Sequence, residues 1–295
     1  MADENESNLF ESRKSTAFNL DDAVTNSTKV LSEAEQRLLQ EQNKRMVSDF
    51  QSRKLELEAR KHWDLFYKRN ETRFFKDRHW TTREFEELLC DGTTSGSGAT
   101  AELKRLLEIG CGVGNLVFPL LEEGIGHYFI YACDLSPRAV ELVKQHNLYN
   151  EQHIKAFPCD ITTDDVFQTV EPGSLDLITS IFVLSAIHPG KFATVARNLF
   201  RLLKPGGMVL FRDYGLYDMA QLRFKAGNKI GENFYMRQDG TRSYFFADAE
   251  VERLFRDAGF ETVVNNYIHR RTVNPKEGID VPRIFVQSKF RKPDG

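Results

Sequence analysis

"LLEIGCGVGN", Leu106 to Asn115, decides how the rest of the chain is read. An apolar run that breaks into three closely spaced glycines marks a strand entering a tight turn ahead of a helix. Such a turn lets a ligand approach the main chain. Gly110, Gly112 and Gly114 are spaced G-x-G-x-G, which differs from the G-x-G-x-x-G of the dinucleotide fingerprint. The turn alone names no ligand, so residues further along must discriminate.

Downstream, strand-like and helix-like segments alternate. A helix from about Asn115 to Glu123 follows the first strand. "YFIYACD" leads into a helix from Pro137 to His146, and "IKAFPCD" into a short one near Thr163 to Val170. "LDLITSIFVLSA" precedes a helix near Lys191 to Leu203, and "GMVLFRD" closes the series. Apolar strands joined by helical crossovers make a parallel sheet covered on both faces. The expected fold over residues 102–295 is therefore α/β, a doubly wound, mostly parallel, Rossmann-like sheet. "AEVERLFRDAGF" adds a helix, and "ETVVNNYIHRR" with "RIFVQSKF" an antiparallel pair at the sheet edge.

Upstream, residues 1–32 are polar and aperiodic, which predicts a disordered acidic tail. Six acids against two bases between Met1 and Thr28 is the wrong sign for a mitochondrial presequence. Residues 33–90 read as a helical arm: Leu38, Leu39, Met46, Val47, Phe50 and Leu55 recur at helical spacing, and Trp63, Phe66 and Tyr67 extend the stripe. Lys29 to Arg83 carries 14 Lys/Arg against 9 Asp/Glu, so the arm is basic. "DGTTSGSGAT" then predicts a flexible linker over 91–101.

A net charge of -3 means that any nucleic-acid binding must use a local patch. Cys90, Cys111, Cys133 and Cys159 form no C-x-x-C pair. They suggest neither a disulfide framework nor a metal site, and fit a reducing compartment. No apolar run reaches the ~18 residues of a membrane span. The cytosol, with nuclear access left open, and a monomeric state are the expectations.

In a doubly wound sheet, ligands bind outside the carboxyl ends of the strands. Asp134 ends the second strand, 24 residues beyond Gly110, where it could accept hydrogen bonds from both ribose hydroxyls. A nicotinamide enzyme would use that acid equally. The third strand discriminates: Asp160 could accept from an adenine amine, and the Ile161 amide could donate to a ring nitrogen. Asp134 could instead merely cap the helix at "SPRAV", and Asp160 its own turn. Two acids at successive strand ends in register with G-x-G-x-G favour S-adenosylmethionine, and with it a class I methyltransferase fold.

The stretch after the fifth strand is long for a connection in a compact domain. Within this insertion, residues 214–246, cations mix with aromatics: Arg223, Lys225, Lys229, Arg237 and Arg242 with Tyr214, Tyr217, Phe224, Phe234, Tyr235, Tyr244, Phe245 and Phe246, and Arg212 stands just before it. Phosphates and stacked bases are bound by such surfaces, although the aromatics could equally be core. "KRNETRFFKDRHW" in the arm repeats the mixture, and together the two segments suggest RNA.

"WDLFYKRN", "FFKDRHW", "LLEIGCGVGN", "ACDLSPRAVELVK", "FVLSAIHP", "LFRDYGLYD" and "GENFYMRQDGTRSYFF" resemble the methyltransferase-like tRNA N3-methylcytidine methyltransferases from about residue 45 to the C-terminus. "YKRN", "HWTTREFEEL" and "RDYGLYD" resemble the serine-tRNA branch. The resemblance implies 3-methylcytidine formation at position 32 of the anticodon loop of serine tRNAs, assisted by seryl-tRNA synthetase. It implies cofactor contacts at Trp63, Tyr67, Gly110, Asp134, Asp160 and Ile181, with Gly112 in the same turn. From periodicity alone Trp63 and Tyr67 read as core. The resemblance makes the arm a lid.

Cytidine N3 carries an in-plane lone pair, so no base need remove a proton before it attacks a methyl. Catalysis then reduces to alignment and charge stabilisation. Asp213 is the candidate catalytic carboxylate, and Tyr214 could stack on a flipped base. Arg78, His79 and Arg212 are candidate substrate contacts. Rival classes are a protein or small-molecule methyltransferase and a non-catalytic RNA-binding adaptor.

Overall fold

The computed structural model describes residues 23–25, 27–73, 77–89, 103–124, 128–274 and 278–294. The linker expected at 91–101 and residues 1–22 of the expected tail lie outside the described residues. The strands are β1 (Ala23–Thr25), β2 (Lys104–Ile109), β3 (Tyr128–Asp134), β4 (Ile154–Pro158), β5 (Leu175–Ile181) and β6 (Leu203–Tyr214), then β7 (Lys229–Gly231), β8 (Phe234–Met236), β9 (Arg242–Tyr244), β10 (Glu261–Asn274) and β11 (Ile279–Arg291).

The main sheet runs β1-β10-β11-β6-β5-β2-β3-β4. Its β6-β5-β2-β3-β4 half is parallel, and β11, β10 and β1 add antiparallel. Successive side chains on a strand face opposite ways. Leu106 therefore enters the core with Ile130, Val140 and Val143, while Leu107 enters the other with Ile178, Val209 and Phe255. Strand order reverses between β2 and β5, and the crevice outside their carboxyl ends is where such a sheet binds ligands.

The helices are α1 (Glu33–Gln42), α2 (Asp49–Leu57), α3 (Ala59–Asn70), α4 (Thr81–Glu84), α5 (Val117–Glu122), α6 (Pro137–Lys144), α7 (Phe192–Leu202), α8 (Met219–Leu222) and α9 (Asp248–Asp257). Local chemistry starts several of them. Ser32 and Glu35 form a capping box on α1, and the Ser48 hydroxyl caps α2. Ser136 accepts from the Ala139 amide ahead of Pro137 in α6.

Two expectations are corrected. Part of the expected disordered tail is strand: Ala23–Thr25 pairs with Tyr267–His269 of β10, because the last long strand would otherwise end the sheet with an open edge. Five of the eight insertion aromatics are core and offer no stacking face. Phe234, Tyr235 and Tyr244 are buried on the small antiparallel sheet β7-β8-β9, and Phe245 and Phe246 are buried just past its last strand. Five large rings gain more from leaving water than from waiting for a ligand.

The arm is spliced to the insertion through its backbone. The Val47 amide donates to the Lys229 carbonyl at 2.8 Å, and the Gly227 amide to the Arg45 carbonyl at 2.5 Å. Gln42, 1 % exposed, donates to the Gln221 carbonyl and accepts from the Tyr235 hydroxyl.

Candidate cofactor and substrate site

A cavity of about 460 Å³ opens at the carboxyl ends of the parallel strands, within the ~300–1,000 Å³ usual for small-molecule sites. Gly110, Gly112, Asp134, Asp160 and Ile161 line it from the sheet, and Trp63 and Tyr67 from α3. Arg78 and Tyr214 also line it. The sequence-derived residues meet there across more than one hundred positions of chain.

The glycine turn is built by conformation and by space. Gly112 has φ +55°, and a Cβ there would stand 3.0 Å from the Tyr67 hydroxyl. Its amide donates to Asp134 Oδ2 at 2.9 Å, while the Ser136 amide donates to Oδ1 at 2.9 Å. Burial pushes the Asp134 carboxyl up to about 6, against the pull of those two N–H groups. Asp160 Oδ1 accepts from the Thr162 amide and hydroxyl, so this acid shapes its own turn as well as lining the cavity. Trp63 and Tyr67 lie 6.0 Å apart between ring centroids. Tyr67 and Phe66 bury themselves with Val113 and Ala139, which docks α3 on the glycine turn and α6.

Four candidates stand elsewhere. The Ile181 side chain is 1 % exposed inside the core, and its carbonyl accepts from Arg78 Nη1 at 3.1 Å. Arg212 is 1 % exposed and points to the opposite side of β6 from Asp213, as pleating demands. It is clamped to Glu84 and Gln287 beneath Trp80, 4.5 Å from the guanidinium. His79 is exposed and bonded through Nδ1 to Glu123 at 2.9 Å. Asp213 is fully buried and does not line the cavity. Its oxygens accept from the amides of Ser185 and Tyr214, each at 2.9 Å, and burial pushes it up to about 6.

Several lining residues carry no local sequence signal. Phe182 has φ +58° directly after β5, a strained conformation for a bulky side chain. Its ring lies 5.0 Å from that of Tyr214, and the Arg237 guanidinium lies 5.5 Å from the Tyr214 centroid. Glu56, in the last turn of α2, bonds Lys191 Nζ at 2.5 Å and also Arg242 of β9. Burial works against its charge, yet those two hydrogen bonds hold the Glu56 carboxyl below its ordinary value. The clasp ties the arm, the turn before α7 and the insertion into one rim.

S-adenosylmethionine fits this donor set. Its sulfonium is cationic, and the Trp63 and Tyr67 rings on the cavity wall can face it. Glu108 lies fully buried below the turn, outside the cavity lining, with Oε2 lacking a partner among the described residues. Burial pushes Glu108 up to about 8, with Arg78 opposing. Asp134 and Asp160 would serve the adenosine, and the glycine turn the amino-acid end, where a Cβ would intrude.

A methyltransferase-domain family matches residues 79–265. The chain is 60% identical over 266 residues to the tRNA N(3)-cytidine methyltransferase METTL6 of Rattus norvegicus, covering 90% of each protein. The Homo sapiens METTL6 is 59% identical over 262 residues, with 89% of each covered. METTL2 of Xenopus tropicalis, also named a tRNA N(3)-cytidine methyltransferase, is 43% identical over 266 residues, covering 81% of this chain and 79% of its own. The fold matches a Haloferax volcanii methyltransferase solved with the Trm112 activator, at TM-score 0.55 and 16% identity, over 80% of this chain and 98% of that one. The chain is an S-adenosylmethionine-dependent methyltransferase and belongs to the tRNA N(3)-cytidine methyltransferase family.

Proposed function

We propose that this chain methylates N3 of cytidine 32 in the anticodon loop of tRNA, with serine tRNAs as substrates and seryl-tRNA synthetase as partner. The observation that carries the RNA part is the rim of the cavity. Arg60 and Arg237 line it, and beside them Lys191 and Arg242 are paired to Glu56. On α2, Phe50 is 72% and Leu57 86% exposed, with exposed Arg53 and Lys54 on the same helix and exposed Arg60 and Lys61 at the start of α3. Apolar side chains set among cations suit bases and phosphates together. Leu57 and Arg60 belong to both the face and the cavity, so a strand lying on α2 would reach the donor.

S-adenosylmethionine held there would supply an electrophilic methyl on sulfur to the in-plane lone pair of N3, the electron pair of the S–C bond staying on sulfur. The chain then needs no general base before attack. Its tasks are to hold the ring in line and to stabilise growing positive charge. Trp63 and Tyr67 cover the donor, Asp134 and Asp160 orient it, and Phe182 and Tyr214 wall the adjoining space. Arg78 braces the turn after β5 through the Ile181 carbonyl.

The test is methyl transfer from labelled donor to total tRNA, with and without the synthetase, and then mapping of the modified nucleotide. Label at cytidine 32 of serine tRNAs, raised by the synthetase, is the expected result. Label on protein or small molecules with none on tRNA would overturn the proposal.

A further inference from the structure

The cavity wall past β5 holds a serine whose orientation is set from below. Ser185 lines the cavity although only 2 % exposed. Its amide donates to Asp213 Oδ2 at 2.9 Å, which sets the hydroxyl-bearing residue directly against that carboxyl. The next amide along β6, that of Tyr214, donates to Asp213 Oδ1. One buried carboxylate thus fixes both Ser185 and the backbone of Tyr214. The strained backbone of Phe182 turns its ring to within 5.0 Å of Tyr214. Phe182, Tyr214 and Ser185 all line the one cavity.

We propose that Ser185 is the cytosine-reading residue, its Oγ accepting from the exocyclic N4 amine while Asp213 acts as a positioning residue. A hydroxyl has one proton and two acceptor sites. The Asp213 carboxylate, held at the Ser185 amide, would draw the hydroxyl proton to its own side, and the oxygen would then offer the cavity its acceptor capacity. Cytosine offers N4–H there, whereas uracil offers O4, and two facing acceptors repel. The contact is also well placed for the reaction. Positive charge that develops at N3 spreads to the amine, making N4–H a stronger donor as the methyl arrives. The assignment places Asp213 behind the residue that touches the base, which accounts for a carboxylate at a strand end with no cavity surface.

This inference rests on the proposed function and is tested separately from it. Ser185→Ala and Ser185→Thr are compared with wild type on tRNA carrying either cytidine or pyrimidin-2-one riboside, which lacks the amine, at the target position. With cytidine, Ser185→Ala is expected to lower kcat/KM about tenfold, and Ser185→Thr to recover most of it. With the amine-free base the Ala variant should match wild type within about twofold, since no partner remains to lose. Donor affinity by calorimetry should not change. Asp213→Asn should show the same base-dependent loss, and Asp213→Asn with Ser185→Ala no further loss. A second readout avoids altering the core: wild type should bind cytidine-bearing tRNA more tightly than uridine-bearing tRNA. Equal losses on both bases, or equal affinity for cytidine and uridine, overturn the inference. No transfer by wild type to any tRNA cytidine instead overturns the proposed function beneath it.

Discussion

Asp134 and Asp213 stand at corresponding ends of two parallel strands, and each accepts two backbone N–H groups. Burial raises both to about 6. Asp134 nevertheless lines the cavity, while Asp213 has no exposed surface. The difference lies in the course of the chain just beyond each residue. β3 stops at Asp134 and the chain turns away into α6, leaving one carboxylate edge facing the crevice. β6 continues through Tyr214, and Asp213 stays inside the ladder opposite Val286 of β11. A carboxylate at a strand end meets ligand only where the ladder also ends.

Removing each acid in turn offers the harshest test of that contrast. Asp134→Ala is expected to weaken S-adenosylmethionine binding about 100-fold, as a lost charged hydrogen-bond partner would. Asp213→Ala should leave that affinity within about threefold while turnover on tRNA falls by about 100-fold. Calorimetry with single-turnover kinetics separates the two, and parallel losses in donor affinity would abolish the distinction. Gly112→Ala probes the same end through the main chain. The left-handed backbone costs a side chain ~1–2 kcal/mol, and the added Cβ would stand 3.0 Å from the Tyr67 hydroxyl. Donor affinity should fall about tenfold, and pairing with Tyr67→Phe should restore part of it. A wild-type dissociation constant for Gly112→Ala would mean that the turn does not touch the donor.

The smallest effect concerns Glu108, raised from 4.5 to about 8 by burial. Its folded form resists ionising, so wild type is favoured below pH ~4.5 and loses stability as pH rises toward ~8. Glu108→Gln cannot ionise. Its melting-temperature advantage over wild type in the absence of donor should grow across that window by a few degrees and level off above it. A constant difference from pH 4 to 9 would show that the carboxyl is not held neutral.

The parallel half of the sheet is legible in the sequence because each strand is apolar on both faces and each turn carries glycine or a capping acid. Gly110, Gly112, Asp134 and Asp160 are legible for the same reason: their positions follow from strand ends. Arg212 and Asp213 share those signals, but strand pleating sends them to opposite sides, and neither reaches the cavity. The insertion misleads through composition. Cations beside aromatics describe Phe234 and Arg242 whether the rings face RNA or each other, and only the β7-β8-β9 pairing decides. A strand of three residues such as Ala23–Thr25 is too short for any period. Phe182, Ser185 and Glu56 lie in stretches whose geometry depends on partners far along the chain. Trp63 and Tyr67 read as core from spacing, and both descriptions fit Tyr67, which is buried at 4% exposure and still lines the cavity.

The splice of Arg45 and Val47 onto Gly227 and Lys229 makes a single jaw from pieces almost two hundred residues apart. Trp63 rides on one side of that jaw and Arg237 on the other. Displacing Trp63 from the cavity would therefore strain the hydrogen bonds that seat the Arg237 side of the rim, so the two walls move as one piece or stay together.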